Sequence, residues 1–160
     1  MLNVKLICVG KLKERFYADA VSEYTKRLGA YCHMEITELT ETRLPENPSD
    51  NEIRAALSKE AEMIRVSIPK GAALIAMCIE GKEYSSEELS ALLDRMAGNG
   101  VSKLCFVIGG SCGLDEDLKK EAAVRLSMSR MTFPHHLARV MLLEQIYRAF
   151  NISGGGKYHK

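Results

Sequence analysis

The sequence predicts an α/β fold, a mostly parallel sheet of about five strands flanked by helices. Segments with apolar alternation or short apolar runs take turns along the chain with segments of helical period. This βαβα order is typical of a parallel sheet covered by helices. The length of 160 residues fits a single domain over residues 1–160, large enough to bury roughly 70% of the surface that its unfolded chain would expose.

Five segments have the strand pattern. They are residues 2–9, 34–39, 73–79, 103–108 and a short one at 126–128. The residues Ile79-Glu80-Gly81-Lys82 predict a turn that closes the third strand. The fifth strand is expected to lead straight into the last helix.

The helices have recognisable ends as well as apolar faces. In the first, Phe16, Ala20, Tyr24 and Leu28 recur at i, i+4 steps and predict a face that packs on the core, with Gly29 at its end. The second and third begin with capping-box spacings, which are Ser49 with Glu52 and Ser85 with Glu88. A shorter fourth helix is expected from Asp115.

The last helix follows Pro134 and is apolar on more than one face. Its apolar residues are Leu137, Val140, Met141, Leu142, Leu143, Ile146, Tyr147 and Phe150. A terminal helix this apolar has more surface to bury than its own sheet can cover, which favours a homodimer. The alternative is that it is a central core helix.

Charge is divided unevenly along the chain. Residues 125–160 contain six Lys and Arg residues against one acid, a local charge of +5, whereas residues 1–124 contain 16 basic and 20 acidic residues, a charge of −4. Such asymmetry favours attraction to nucleic-acid phosphates, although a solvated basic helix would have the same composition. The apolar runs are too short to span a membrane, and the N-terminal segment lacks the features of a signal peptide, so we expect a cytoplasmic protein. The five cysteines form no C-x-x-C pair and suggest no disulfide framework.

The residues most suited to binding a small molecule follow the fourth strand. Gly109-Gly110-Ser111-Cys112-Gly113 joins an apolar strand to the helix from Asp115, and glycines let backbone amides approach a ligand closely. Ligands of open α/β sheets bind at the carboxyl ends of strands. The turn lacks phosphate-loop and dinucleotide spacings, so a plain tight turn is the alternative. The segment 128–134, with apolar side chains and accessible backbone, is expected to form another wall.

Other chemistries lack their usual motifs. There is no G-x-S-x-G elbow, and no cysteine stands at a recognisable spacing from a base. Adjacent His135 and His136 are expected to point to different faces of the last helix, so we predict no metal site.

Several of these segments together resemble one family closely. They are Val9-Gly10-Lys11-Leu12-Lys13, Glu23-Tyr24, Lys26-Arg27-Leu28, Val107 to Ser111, Leu126 to Ser129, Met131 to His135, Arg139-Val140, Glu144 to Phe150 and Tyr158-His159-Lys160. In these the chain resembles the ribosomal RNA large subunit methyltransferase H family of the SPOUT class, over essentially its whole length. The resemblance implies a homodimer with a C-terminal trefoil knot. It also implies methylation of the N3 position of a pseudouridine in 23S rRNA of assembled ribosomes, with S-adenosylmethionine as cofactor.

The resemblance also implies site residues. The expected cofactor-binding residues are Met77, Gly109, Met128, Ser129, Arg130, Met131, Thr132 and Phe133. The family often has leucine at the position of Met77 and other residues at that of Cys78, which affects only the shape of that wall. Arg148, Tyr158 and His159 are the expected catalytic residues, the last two acting from the partner subunit, with a disordered terminus as the alternative for His159. Two other functions stay open, a non-catalytic ribosome-binding or RNA-binding module and a small-molecule enzyme that binds a nucleotide at the glycine turn.

Overall fold

The computed structural model describes all 160 residues and contains one five-stranded sheet. The strands are β1 (Leu2–Val9), β2 (Cys32–Leu39), β3 (Ala73–Glu83), β4 (Lys103–Ile108) and β5 (Val124–Ser127). The helices are α1 (Arg15–Leu28), α2 (Asp50–Ser67), α3 (Ser86–Gly98), α4 (Glu116–Glu121) and α5 (His135–Ser153). The predicted α/β class and the alternation of strands and helices are confirmed.

Every strand pair in the sheet is parallel, in the spatial order β2-β1-β4-β3-β5. Central strands are covered on both faces, so consecutive residues such as Leu6 and Ile7 in β1 and Phe106 and Val107 in β4 are all buried. One face packs against α1, α3 and α5, and the other against α2 and α4. Because the strands are parallel, all five carboxyl ends lie at the same edge.

The capping boxes predicted for α2 and α3 are confirmed. The Ser49 side chain accepts a hydrogen bond from the Glu52 amide while Glu52 accepts one from the Ser49 amide, and Ser85 and Glu88 repeat the arrangement. The predicted core face of α1 is wrong at its first member, since Phe16 is 66% exposed and only Leu28 is fully buried. The run of apolar residues along α1 therefore extends beyond the part of the helix that packs on the sheet.

Helix α5 occupies the middle of its layer, between α1 and α3. Leu142, Leu143, Ile146 and Ala149 are almost completely buried there. Ser90 of α3 donates a hydrogen bond to the Ala149 carbonyl at 2.8 Å, which fixes the two helices against each other. The core-helix alternative thus accounts for one face of α5, while Tyr147 and Phe150 on another face are only half-buried.

Strand β3 is longer than predicted, because residues 79–82 do not form a turn. Both Met77 and Lys82 pair with Leu126 of β5, so residues 78–81 bulge out of the ladder between them. A side chain on Gly81 would come within 2.7 Å of the Arg125 backbone. Glycine is needed here for close approach of two strands, a use that the sequence does not distinguish from a turn.

The fifth strand ends at Ser127, and residues 128–134 form a loop rather than a strand that continues into α5. Among the cysteines, Cys8, Cys32 and Cys105 are buried, Cys78 is half-buried and Cys112 is exposed. None of the helices has the length and hydropathy needed to cross a bilayer.

Candidate cofactor-binding site

A cavity of about 720 Å³ opens at the carboxyl edge of the sheet, beside β3, β4 and β5. Three chain segments supply most of its wall, and Lys119 of α4 and the first turns of α5 supply the rest. The segments are the β3 bulge with Met77 to Glu80, the turn from Ile108 to Leu114, and the stretch from Leu126 to Pro134 without Arg130. The turn and loop that the sequence singled out therefore meet at one place.

The glycine turn is tightly folded. Gly113 has φ +81° and donates its amide to the Gly110 carbonyl at 3.1 Å, while a side chain on Gly109 would collide with the Gly113 carbonyl. Glu41, in the loop after β2, accepts a hydrogen bond from the Ser111 amide at 2.8 Å and lies against Gly110. The turn is thus both closed on itself and tied to a neighbouring loop, which fixes its backbone groups in place.

The loop between β5 and α5 is also internally bonded. Ser127 Oγ donates to the Ser129 carbonyl and the Met131 amide donates to Ser129 Oγ, both at 3.0 Å. Met131 in this loop is 74% exposed, and Ile79 in the β3 bulge is 49% exposed. Both residues line the cavity. Exposed apolar side chains facing a cavity are suited to cover a bound flat ring.

Seven of the eight residues expected to hold the cofactor line this cavity. They are Met77, Gly109, Met128, Ser129, Met131, Thr132 and Phe133. Arg130 does not line it, because its side chain is 93% exposed and points to Glu83, with Nε 3.9 Å from the carboxylate. Arg130 belongs to the same loop but to its outer surface.

The two histidines at the start of α5 lie side by side, with ring centroids 4.3 Å apart and both rings near Gly10. Their other neighbours differ, since His136 lies against Glu14 and Tyr17. Only His135 lines the cavity. Burial, followed by electrostatic contributions from the neighbouring His136 and Arg139, lowers the pKa of His135, so its neutral form is favoured at pH 7.

Arg139 belongs to the basic block, but it is 1% exposed and structural. Its guanidinium donates to the Glu38 carboxylate and to the Gly10 carbonyl, the latter at 3.0 Å. Glu38 in turn accepts the Leu12 amide at 3.0 Å. Arg139 therefore holds the loop between β1 and α1 against the start of α5, and it contributes nothing to an exposed basic surface.

The three expected catalytic residues form one cluster at the other end of α5. Arg148 Nη1 lies 3.0 Å from His159 Nδ1, and the guanidinium carbon of Arg148 is 4.6 Å from the centre of the Tyr158 ring. Arg148 and Tyr158 both donate to Glu144 at 2.8 Å, while His159 Nε2 is 2.6 Å from Glu87. We call these five residues the tail cluster. The terminal segment thus packs on its own α5.

The tail cluster sets the protonation of its members. Burial would raise the pKa of Glu144, but hydrogen bonds from Arg148 and Tyr158 outweigh it and the pKa is lowered. The hydrogen bond to Glu144 raises the pKa of Tyr158 to about 12. In this arrangement Tyr158 is a neutral hydrogen-bond donor and Glu144 an ionised acceptor.

The tail cluster and the cavity are separate in this chain, because none of the three catalytic candidates lines the cavity. A smaller cavity of about 380 Å³ lies between them, bounded by Glu144 and Gln145 of α5 and by Tyr84. It shares the segment from Leu126 to Met128 with the larger cavity. That segment is a thin wall between the two.

Sequence reasoning missed several residues at the site. Glu80 and Lys119 line the cavity, Glu41 supports the glycine turn, and Glu144 organises the tail. Glu144 lies within a matching motif and could have been singled out from it. No local pattern marks the other three, since each acts on a residue at least 39 positions away.

Known proteins match this chain over nearly its whole length. Residues 2–159 match the family model described as predicted SPOUT methyltransferase. Proteins named ribosomal RNA large subunit methyltransferase H are 48% identical in Bacillus pumilus (strain SAFR-032) and 49% in Clostridium acetobutylicum. Each alignment covers 99% of this chain and 100% of the relative.

Solved structures with low sequence identity share the fold. A methylase family protein from Haemophilus influenzae Rd KW20 has a TM-score of 0.55 at 10% identity, over 99% of this chain and 71% of that one. Another, from Neisseria gonorrhoeae, has a TM-score of 0.52 at 15% identity, over 91% of this chain and 82% of that one.

Proposed function

Because the chain belongs to the SPOUT methyltransferase family, we propose that it transfers a methyl group from S-adenosylmethionine to large-subunit ribosomal RNA. The observation that carries the proposal is that Met77, Gly109 and residues of the loop from Met128 to Phe133 line the same cavity. The end-to-end match to relatives named for methylation of this RNA supports the choice of substrate.

The cavity fits this cofactor in size and chemistry. Its volume of about 720 Å³ lies within the roughly 300–1,000 Å³ typical of small-molecule sites. Met77, Met131 and Phe133 offer apolar contact to an adenine ring, and the backbone around Gly109 and Ser129 offers hydrogen-bonding groups. When bound, S-adenosylmethionine would supply a methyl group activated by a sulfonium.

We propose N3 of a pseudouridine in 23S rRNA on the assembled ribosome as the acceptor. The new nitrogen–carbon bond would form as the sulfur–carbon bond breaks, with S-adenosylhomocysteine as the leaving group and the imide proton released to water. Positioning supplies much of the acceleration in such an in-line displacement. Arg148 would stabilise the deprotonated imide, with Tyr158 and His159 orienting the base. The raised pKa of Tyr158 suits a donor rather than a proton acceptor.

The tail would act on the cavity of a second subunit. Supporting this, the tail cluster does not reach the cavity of its own chain, and the half-buried Tyr147 and Phe150 leave α5 with apolar surface for a partner. We therefore propose a homodimer. Family membership supports a trefoil knot at the C-terminus, and a ribosomal substrate implies action in the cytoplasm.

The tail has a direct test. Deleting residues 158–160 is expected to abolish methyl transfer while leaving the affinity for S-adenosylmethionine within about twofold, because these residues do not line the cavity. Turnover is measured with ribosomes and affinity by calorimetry. Unchanged turnover would contradict a catalytic tail. Mixing the deletion variant with a cavity variant, Gly109→Ala, should restore activity if the tail serves the partner subunit.

The whole proposal is tested by incubating the protein with labelled S-adenosylmethionine and either ribosomes or free rRNA. Label is expected in the large-subunit RNA of ribosomes, at a nucleotide that stops reverse transcriptase because N3 lies on the pairing edge. A non-catalytic RNA-binding module would bind ribosomes with no affinity for the cofactor. A small-molecule enzyme would bind a nucleotide but leave both RNAs unlabelled.

A further inference from the structure

The cavity wall contains one ion pair, between Glu80 in the β3 bulge, whose side chain is about half exposed, and the buried Lys119 in α4. Lys119 is 9% exposed, and its Nζ donates to Glu80 Oε1 at 2.6 Å and to Glu116 Oε1 at 2.9 Å. Glu116 does not line the cavity. A buried lysine is costly to keep charged without partners, so this one is held by the two carboxylates.

Glu80 is ionised and only partly satisfied. The hydrogen bond from Lys119 lowers the pKa of Glu80. Burial would lower the pKa of Lys119, but Glu80 and Glu116 together outweigh burial and the pKa is raised. Lys119 occupies Oε1, whereas Oε2 forms no hydrogen bond with another residue. With His135 neutral, Glu80 and Lys119 are the only charged side chains that line the cavity.

The bulge places this carboxylate where a nucleoside is expected. Glu80 follows Met77 at the point where β3 leaves the ladder, at the carboxyl edge of the parallel strands. In other open α/β sheets an acidic side chain at this edge accepts hydrogen bonds from ribose hydroxyls. We propose that Glu80 binds the ribose hydroxyls of the cofactor and that Lys119 is the positioning residue for its carboxylate. This inference rests on the proposed function.

The ribose diol suits the free oxygen of Glu80 better than the ammonium group of the same cofactor does. Lys119 already neutralises Oε1, so a second cation gains less from the pair than it would from an unpaired carboxylate. The free oxygen has two lone pairs and accepts from neutral donors without further charge balance. A hydroxyl bound to an ionised carboxylate contributes more than a neutral pair.

The test measures affinities for S-adenosylhomocysteine and its 2′-deoxy analogue by calorimetry. The wild-type protein should bind the parent compound roughly tenfold more tightly than the deoxy analogue. Glu80→Ala should weaken binding of the parent compound by a similar factor and remove the difference between the two. Glu80→Gln, which retains an oxygen acceptor without charge, should fall between them.

Two further variants separate positioning from folding. Lys119→Gln should reduce the discrimination between the two compounds, and Glu116→Gln, which keeps an oxygen acceptor for Lys119 outside the cavity, should reduce it by less. Thermal unfolding of each variant identifies loss of structure. If Glu80→Ala unfolds, the ribose assignment is decided by the ratio of the two affinities in the wild-type protein and by the same ratio in Glu80→Gln.

The outcomes have distinct meanings. Equal weakening of both compounds by Glu80→Ala would overturn the ribose assignment. If Glu80→Ala instead removed the preference for S-adenosylhomocysteine over its desamino analogue, Glu80 would be assigned to the ammonium group, which would also overturn the ribose assignment. Absence of any binding of S-adenosylhomocysteine by the wild-type protein would instead overturn the proposed function, from which this inference starts.

Discussion

The two ends of α5 each present an arginine bound to a glutamate, but in different surroundings. Arg139 is buried beneath the loop after β1, with Glu38 and the Gly10 carbonyl as partners. Arg148 lies nearer the surface, where Glu144 and the terminal residues surround it. Both count equally toward the basic charge of residues 125–160. Burial alone separates an arginine that stabilises the fold from one that can meet a substrate.

The largest difference is expected in stability. Arg139→Met should cost roughly 1–3 kcal/mol, because it leaves the Gly10 carbonyl without its donor and Glu38 without its charged partner. Arg148→Met should cost about 0–1 kcal/mol, since its ion pair is partly hydrated. Urea unfolding measures both. Adding Glu38→Gln to Arg139→Met should recover part of the loss, and equal losses for the two arginines would remove the distinction between the ends.

At the cavity end, backbone geometry is expected to matter more than charge. Gly109→Ala should weaken S-adenosylhomocysteine binding by roughly tenfold or more, because the new methyl group collides with the Gly113 carbonyl and displaces the turn. Gly98→Ala is the matched control, since its side chain would meet nothing within 4 Å. Calorimetry on both variants makes the comparison. Equal affinities would mean that the turn does not hold the cofactor.

The smallest expected effect is a spectroscopic change at the tail end. The folded pKa of Tyr158, about 12, exceeds its ordinary value of 10.0. Tail docking therefore stabilises the protein below pH 10, and this contribution disappears as pH rises through 12. Absorbance at about 295 nm follows tyrosine ionisation. Glu144→Gln should lower this pKa, and Tyr158→Phe should remove one late-titrating group.

If the wild-type protein shows no late-titrating tyrosine that Tyr158→Phe removes, the tail is not docked on its own α5 in solution. That result would favour a tail placed on the partner subunit even without substrate. It would leave the expectations for Arg139 unchanged, because Glu38 and Gly10 are distant from the tail in sequence and belong to the other end of the helix.

The sequence predicts those parts of the fold that depend on local patterns. Strand and helix alternation, both capping boxes and the glycine turn follow from neighbours within a few positions, and the structure confirms them. The bulge in β3 does not, because Gly81 in a turn and Gly81 pressed against a neighbouring strand look identical in sequence. Phe16 fails for a related reason, since an apolar period does not tell where a helix leaves the sheet.

The candidate site divides in the same way. Seven of the eight residues expected from the matching motifs to bind the cofactor line one cavity. The Glu80–Lys119 pair joins positions 39 residues apart and the Glu41–Ser111 contact joins positions 70 apart. Such pairs exist only once the tertiary fold brings two loops to the same edge.

The interior position of β1, between β2 and β4, has a consequence for synthesis of the chain. β1 is translated first, yet one of its two neighbours is β4, which begins at Lys103. At translation rates of about 5–20 residues per second, β1 waits roughly 5–20 s for that neighbour. Helix α5, whose Leu142, Leu143 and Ile146 fill the space between α1 and α3, is synthesised after the other nine elements. A nascent chain therefore keeps the apolar surface between α1 and α3 open until α5 has been made.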